Sequence, residues 1–528
     1  MKKILINISL LLSVVVAVSS CKKKLADDYN NPELNPKANI PGFFTAILNN
    51  DRVRPSYWNL RTYLLTGVAV YSQSASFDNV NTAYQQNDGY TGNYWTDFYY
   101  ASGNGSGDLA LYTAMQNTFA GLSATDQANQ KVFMEAAKVV LYDQASKMVD
   151  AWGDIPFSKA GSLESGSIVK DAPFDDAKTL YATFISGLDE AATYFGASTT
   201  VSSSGFQKQD IMLHGSLDMW RRYANSIRLR LLMRISNVDA SAQATVTAML
   251  ADPSAYPLID GGNVGTYDPA SSDVLLQPLT TYQNSPLNAF TESSSYFAPD
   301  YMLNTVMAPA NDPRMPVVFD KFGNTVNGVF VPNPTYKAMP ITYTSVEQAN
   351  NYTNFAILDS ATFLNNIKLP GIVITASEVN FLKAEAYERW GSTGAAQTAY
   401  NNAVSQSVSF YYYLNGLGGG KVPAPTPTDI TAFLSNPNVA YSGTSDQKLA
   451  LIWTQKWAHF GCLQADEAWS EYRRTKFPQL TFVTQTLNGY ALPPSRLVYP
   501  SIETAYNSNY NAVRAKDTRD TKIFWDVK

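Results

Sequence analysis

Two residues of the types that bind metals or catalyse reactions stand close together near the end of the chain. The chain has only two histidines and two cysteines, and His459 and Cys462 lie one helical turn apart. A zinc site takes three or four protein ligands, and no further ligand accompanies this pair in the sequence. We therefore interpret His459 and Cys462 as a buried pair rather than as a metal site.

Searches for nucleophile and phosphate motifs also find no complete pattern. The sequence has no Gly-x-Ser-x-Gly nucleophile elbow. Residues 416–421 are glycine-rich and end in Gly-Lys, but Asn415 and Val422 replace the leading glycine and the magnesium-binding hydroxyl of a phosphate loop. The 44 acidic residues include no pair whose context marks one acid and one base, so a glycosidase is neither supported nor excluded. These searches give no support for an enzyme.

A different chemistry is indicated where aromatic side chains alternate with amides and carboxylates. Tyrosine and tryptophan rings can stack on the flat apolar faces of sugars, while amides and carboxylates bond to hydroxyl groups. Long loops are where such binding groups concentrate. The first candidate ligand-binding group lies in a loop predicted at about 75–107 and consists of Tyr84, Asn87, Asp88, Tyr90, Tyr94 and Trp95.

Two further candidate groups lie in an irregular region at about 252–374, which is rich in Pro, Gly, Asn and Asp. Tyr282, Asn284 and Tyr296 form the second group. A third and weaker group consists of Tyr336, Tyr343 and Tyr352. Packing within the loops is the alternative for each of these rings, because tyrosines are frequently buried.

Helices must position these loops. Apolar residues recur at three- and four-residue steps, and they predict helices within 42–74 and at 108–122, 130–152, 174–195, 216–237, 298–308, 375–410, 429–435 and 445–475. At 375–410 two helices meet in a tight turn. Thr375 and Glu378 have capping-box spacing there.

The 375–410 hairpin follows part of the tetratricopeptide pattern. Small and aromatic residues stand at its expected positions, namely Ala384, Tyr387, Ala396, Tyr400 and Ala403. Asn380 and Lys383, however, replace the tryptophan and leucine of that repeat. One hairpin cannot bury its own apolar face, so further helices must stack on it. An ordinary helical hairpin is the alternative.

The N-terminus carries a targeting signal. Lys2 and Lys3 precede a short apolar core at 4–18. The core ends in Val-Ser-Ser-Cys at 18–21, which resembles a bacterial lipobox, so Cys21 is the predicted site of lipid attachment. We divide the chain into a signal peptide (1–20), a polar tether (21–41) and a single domain (42–528).

Composition excludes some classes of partner. The net charge is −5 and charged residues make up only 16 % of the chain, so there is no electrostatic footprint for nucleic acid. Aromatic residues reach 13 %, with 33 tyrosines and 9 tryptophans. Such a composition suits a surface that meets neutral, hydroxyl-rich ligands, and it equally suits a long-looped extracellular protein.

Several segments together resemble the SusD/RagB family of outer-membrane lipoproteins. They include Trp-Gly-Asp-Ile-Pro-Phe at 152–157 and Ala-Trp-Ser-Glu-Tyr-Arg-Arg at 468–474. The complete set, in family order, is 131–157, 220–237, 311–314, 378–390, 455–457, 468–474 and 496–500, followed by Glu503 and 509–510.

The resemblance implies a mostly α-helical scaffold of tetratricopeptide-like hairpins, with the loop-rich region packed on it. It also implies a non-catalytic lipoprotein at the bacterial surface, which captures oligosaccharides, or peptides in some members, and passes them to a TonB-dependent outer-membrane transporter. A helical adaptor without a small ligand is a further alternative. No cofactor is expected; calcium binding by the Asp- and Asn-rich loops stays open, without a motif to support it.

Overall fold

The computed structural model describes residues 39–80, 82–102, 105–161, 171–197, 205–262, 264–278, 285–292, 296–483 and 489–528. The predicted signal, the tether up to residue 38 and Cys21 lie outside these ranges. The described part is mostly helical, as predicted. Its longer helices are Ile40–Leu48, Asn59–Val68 (π-helical), Asp88–Tyr99, Asp108–Ala120, Ala124–Trp152, Ala177–Ala197, Leu217–Ile235, Ala240–Ala251, Ala376–Trp390, Thr393–Leu417, Pro427–Leu434, Ser445–Phe460 and Ala465–Thr475.

Shorter helices and small strands fill the rest of the described chain. The short helices are Ala69–Tyr71, Phe206–Gln209, Val264–Thr266, Pro269–Ser272, Ser285–Thr291, Tyr301–Met307, Ala308–Ala310, Met315–Val318, Ser345–Asn351, Tyr352–Asn354, Ser360–Leu364, Ser501–Tyr506, Ser508–Ala512 and Arg514–Lys516. Strands pair antiparallel in twos: Ala101–Ser102 with Gly105–Ser106, Ile155–Pro156 with Phe174–Asp175, Val274–Leu276 with Gly371–Ile374, Phe319–Asp320 with Ile357–Leu358, and Gly323–Val326 with Val329–Pro332.

The two helices of the predicted hairpin pack extensively against each other. Ala376–Trp390 packs along Thr393–Leu417, and Ala384, Ala396 and Ala403 are buried between them. Small side chains let the two backbones approach each other. The second helix runs to Leu417, beyond the predicted end at 410.

Only half of the predicted capping box forms. The Thr375 hydroxyl accepts a hydrogen bond from the Glu378 amide at 3.2 Å. The Glu378 carboxylate does not return to the cap. It receives Nε and Nη2 of Arg230, at 2.6 and 2.8 Å, from a neighbouring helix. A buried guanidinium requires carboxylate partners, and this need overrides the local cap.

A buried ion-pair network joins five helices. Arg230 and Arg234 of Leu217–Ile235 both contact Glu467, at 3.3 and 2.6 Å. Arg474 binds Glu385 through Nη1 at 2.7 Å and Nη2 at 2.6 Å. The remaining members are Asp143, Asp150, Glu378, Lys456 and Glu471. Burial raises the pKa of a carboxyl group, yet the adjacent cations, Arg474 foremost, lower the pKa of Glu385 to about 2.

The two departures from the tetratricopeptide pattern attach the loop-rich region to the scaffold. Asn380 donates to the Asp260 carbonyl at 2.8 Å, and Lys383 pairs with the Asp260 carboxylate at 2.8 Å. The Gln406 amide also donates to the Asp260 carbonyl, at 2.8 Å. Polar residues at these positions therefore hold residue 260, where the loop-rich region begins.

Several parts of the secondary structure differ from the prediction, among them the helix Ala240–Ala251, which the sequence analysis does not predict. Much of the loop expected at about 75–107 is the helix Asp88–Tyr99, because the Asn87 side chain caps its first turn. The region 252–374 contains several short helices besides the one predicted at 298–308. The predicted segment 445–475 divides at Gly461, whose φ of 50° favours glycine.

Candidate functional site

Three residues of the first predicted group lie in the core. Tyr84, Tyr94 and Trp95 are all buried. The Tyr94 ring stacks on Tyr63 with 3.6 Å between ring centroids, and the Arg52 guanidinium lies 3.7 Å from its other side. Because these side chains are covered by protein, no ligand can stack on them, and the predicted role is corrected for all three. The Asp88–Tyr99 helix turns its 94–95 positions inward.

The other three residues of this group remain near the surface. Asn87 and Asp88 are exposed, and Tyr90 is half-buried. The Asn87 side-chain oxygen accepts the Tyr90 amide at 3.2 Å, so the amide side chain is already used in part as the helix cap. Asp88 and Tyr90 stay candidate ligand contacts at the start of the helix.

The second and third predicted groups separate. Tyr282 and Asn284 lie outside the described residues. Tyr296 is half-buried and packs against Phe297 and Phe322, with centroids 5.4 and 6.3 Å away.

Rings of the third group pack on the same irregular region. Tyr352 is exposed and lies 6.0 Å from the Phe322 ring. Tyr343 packs edge-on against Phe355 at 5.8 Å, and Tyr336 lies under the Lys321 ammonium at 5.0 Å. These contacts are those of loop packing.

An aromatic pair that the sequence analysis did not select is better placed to meet a ligand. Trp58 is 50 % exposed, an unusual state for the largest side chain. The Tyr57 ring stands against it edge-on, with 5.1 Å between centroids and 77° between planes. A half-exposed indole that is braced by a second ring presents a fixed apolar face to solvent.

Charged groups surround this pair. The Tyr57 hydroxyl donates a short hydrogen bond to the Glu292 carboxylate, and this bond, with the negative charge, raises the pKa of Tyr57. Arg61 Nε lies 3.8 Å from the same carboxylate. The site thus combines a stacking ring with hydrogen-bonding groups of both signs, and Glu292 and Arg61 both remain partly exposed.

Three helices position these side chains. Tyr57 and Trp58 directly precede the helix Asn59–Val68, against which both Asp88–Tyr99 and Ser285–Thr291 pack. Glu292 follows the last of these helices. The sequence did contain a signal: Trp58 lies off the stripe of Leu60, Leu64 and Val68 that faces the core.

His459 and Cys462 are core residues. The histidine ring lies 2.7 Å from the Thr375 hydroxyl through Nε2 and 2.9 Å from the Ser407 hydroxyl through Nδ1. Burial, together with the Arg314 charge, lowers the pKa of His459 to about 3, so it is neutral. Burial raises the pKa of Cys462 to about 12. Within the described ranges no three His, Cys, Asp or Glu side chains are grouped as metal ligands would be.

Comparison with known families identifies the fold. A family model described as "Starch-binding associating with outer membrane", SusD-like, matches residues 49–500. The chain belongs to the SusD-like family. This match confirms the predicted fold class. It also confirms that the family is associated with the outer membrane. In the described part of this SusD-like chain, no helix is long and apolar enough to cross a membrane.

Solved structures agree with the SusD-like assignment. A chitin-binding protein aligns with a TM-score of 0.71 at 23 % identity, covering 93 % of this chain and all of its own. A chitin-binding SusD homolog from Flavobacterium johnsoniae aligns with a TM-score of 0.68 at 20 % identity, covering 93 % and 99 %. A SusD homolog from Bacteroides thetaiotaomicron aligns with a TM-score of 0.65 at 20 % identity, covering 93 % of this chain and 99 % of its own. No curated protein matches the sequence.

Proposed function

We propose that this SusD-like protein is a non-catalytic lipoprotein of the bacterial cell surface that captures oligosaccharides and delivers them to a TonB-dependent transporter. The observation that carries glycan capture is the half-exposed Trp58 ring, held by Tyr57 beside Glu292 and Arg61. An indole face covers the apolar face of a pyranose, and the carboxylate and guanidinium bond to its hydroxyls.

The two chitin-binding neighbours make chito-oligosaccharides the first ligands to test, with malto-oligosaccharides second because of the family description. Isothermal titration of both series against the purified chain measures affinity. We expect Trp58→Ala to weaken binding at least about tenfold, which corresponds to roughly 1.4 kcal/mol.

Tyr506→Ala is the matched control. Tyr506 is 79 % exposed on the helix Ser501–Tyr506, so its loss removes an exposed ring while Trp58, Tyr57 and Glu292 are unchanged. The control is expected to bind as the unchanged protein does. Equal binding by the Trp58→Ala variant would refute this site, and binding of peptides but no glycan would select the peptide-binding alternative. Binding of neither would favour a helical adaptor.

Surface attachment is proposed through a lipid on Cys21. Several acyl chains hold a protein firmly, since each buried methylene contributes about 0.8 kcal/mol. Mass spectrometry of the mature N-terminus measures the modification, and Cys21→Ser should move the protein from the membrane to the soluble fraction. Retention of the Cys21→Ser variant in the membrane would contradict a lipid anchor at this residue.

Delivery to a transporter is tested by co-purification. The chain is expected to be isolated with a large outer-membrane β-barrel when both are expressed together. Titration of glycan into the chain alone and into the co-purified complex then shows whether the contact between the two proteins is linked to binding of the ligand.

A further inference from the structure

A β-hairpin in the loop-rich region is apolar and almost entirely exposed. Its strands Gly323–Val326 and Val329–Pro332 pair with each other, and Asn327 and Gly328 form the turn with φ values of 52° and 79°. Positive φ at both turn positions is the geometry of a tight two-residue hairpin. Every residue from 324 to 332 is exposed.

Both faces of this hairpin carry large apolar side chains. Residues directly opposite each other point to the same face, so the pairs Val326–Val329 and Asn324–Val331 share one face. Phe330 lies on the other face, opposite Thr325 and beside Pro332. Four of the side chains are between 48 % and 65 % exposed: Val326, Val329, Phe330 and Val331.

The hairpin has no charged side chains, but charged side chains stand at its base. No residue from 322 to 336 is charged, whereas Lys321 and Lys337 stand on either side. Lys321 Nζ lies 5.0 Å from the centre of the Tyr336 ring. The Phe322 ring at the base lies 6.0 Å from the ring of the exposed Tyr352, with 37° between their planes. Lysine and tyrosine at the edge of an apolar segment are the residues that favour a membrane interface.

We propose that this hairpin dips into the lipid surface beneath the protein. The inference rests on the proposed lipid attachment, which would hold the body at a membrane. A groove on another protein covers one face of a ribbon, whereas an acyl layer covers both faces and the tip. A specific protein interface also takes about 20–30 residues on each side, and this hairpin offers only ten, from 323 to 332.

Insertion is shallow. The strands are four residues long, or about 13 Å. Thr325 and Phe330 form a pair whose backbone N–H and C=O groups point away from the ladder. These groups need water or lipid headgroups, because open sheet edges are not tolerated in the hydrocarbon region. The apolar side chains that flank the Asn327-Gly328 turn therefore reach the headgroup–acyl boundary, about 5–10 Å deep.

An environment-sensitive thiol probe tests the proposal. In a Cys21→Ser background the other cysteine, Cys462, is buried, so Val329→Cys gives one accessible thiol. The full chain is tethered by an N-terminal histidine tag to vesicles of phosphatidylcholine and phosphatidylglycerol that contain a nickel-chelating lipid. The tag replaces the natural anchor, so a failure of the hairpin and a failure of the Cys21 proposal are read separately.

We expect a blue shift and about a twofold rise in emission for the nitrobenzoxadiazole label at residue 329. Val527→Cys is the control position, because Val527 is also exposed, at 56 %. Its neighbour Lys528 lies over Trp453, which belongs to a different core cluster from the one against which Phe322, at the base of the hairpin, packs. It should not shift. No shift at 329, or equal shifts at both positions, would overturn the proposal.

A second variant separates lipid from protein contact. In the Cys21→Ser background without tag or label, Val329→Ser with Phe330→Ser should lower co-flotation with the vesicles about tenfold. Thermal unfolding should stay unchanged because neither residue packs in the core. If the label at 329 shifts only when a transporter is present in the vesicles, the hairpin docks on protein and the lipid proposal fails.

Discussion

Asp108→Asn is expected to stabilise the protein, and more so as pH rises. Asp108 begins the helix Asp108–Ala120 and is fully buried. Neither of its carboxylate oxygens has a hydrogen-bond partner among the described residues. Burial, opposed in part by the charge of Arg52 and reinforced by Asp97, raises the pKa of Asp108 from 3.8 to about 7.

The sign follows from proton binding. Between about pH 4 and pH 7 the folded state holds a proton on Asp108 that the unfolded state releases, so stability falls as pH rises through this window. At 1.36 kcal/mol for each pKa unit, the cost grows to about 4 kcal/mol near pH 8. Asparagine has the same shape and no charge, so it removes this cost. The variant should gain about 2–3 kcal/mol more at pH 8 than at pH 5.

Guanidinium unfolding followed by tryptophan fluorescence at pH 5, 6.5 and 8 measures the difference between variant and unchanged protein. Asp239→Asn is the control. Asp239 is a half-buried helix cap, and its pKa is lowered by hydrogen bonds from Ser241, so its stabilisation is lost as pH falls. Its variant should therefore show a small effect of opposite sign.

A gain for Asp108→Asn that did not change with pH would refute the reasoning. A loss of stability at pH 8 would show that the carboxylate is needed in its charged form. Were Asp108 a ligand for a cation such as calcium, the substitution would give this loss, and added calcium would stabilise only the unchanged protein.

Two further outcomes are expected. Arg230→Met should destabilise by about 3–5 kcal/mol, because it removes the cation that pairs with Glu378 and other buried carboxylates. Arg222→Met breaks a solvent-accessible pair with Asp218, whose side chain is 61 % exposed, and should cost less than about 1 kcal/mol; equal unfolding midpoints for the two variants would contradict the role of the network. Tyr57→Phe removes the hydroxyl that bonds to Glu292 while keeping the ring. We expect the affinity for glycan, measured by titration, to fall roughly two- to fivefold while stability is unchanged. Unchanged affinity would show that this bond does not orient the site.

Helix positions could be predicted because the apolar residues that become buried recur at helical spacing within each segment of the chain. The helices at 108–122, 174–195 and 216–237 were found to within a few residues. The segments that resemble the SusD-like family were also visible, and the structure explains why: Arg230, Glu378 and Arg474 within them form the buried ion pairs. These residues hold the scaffold, so they identify the family without marking a ligand site.

The site was harder to predict, because exposure depends on the partners of a side chain. Tyr94 and Trp95 have the composition of a binding loop, but the helix that Asn87 caps turns them toward Tyr63 and Trp152. A tryptophan such as Trp58 is the type of residue expected in the core, yet it is half-exposed at the surface.

The sequence by itself determined the helical class and the family, and it predicts lipid attachment at Cys21, since each of these depends on spacing along the chain. The tertiary structure alone decided which rings face solvent. It brought Glu292 to Tyr57 across more than two hundred residues and sent Glu378 to Arg230 instead of its own helix cap. The physical reason is that buried charges and rings are satisfied by whichever partners packing brings near, and periodicity does not record those partners.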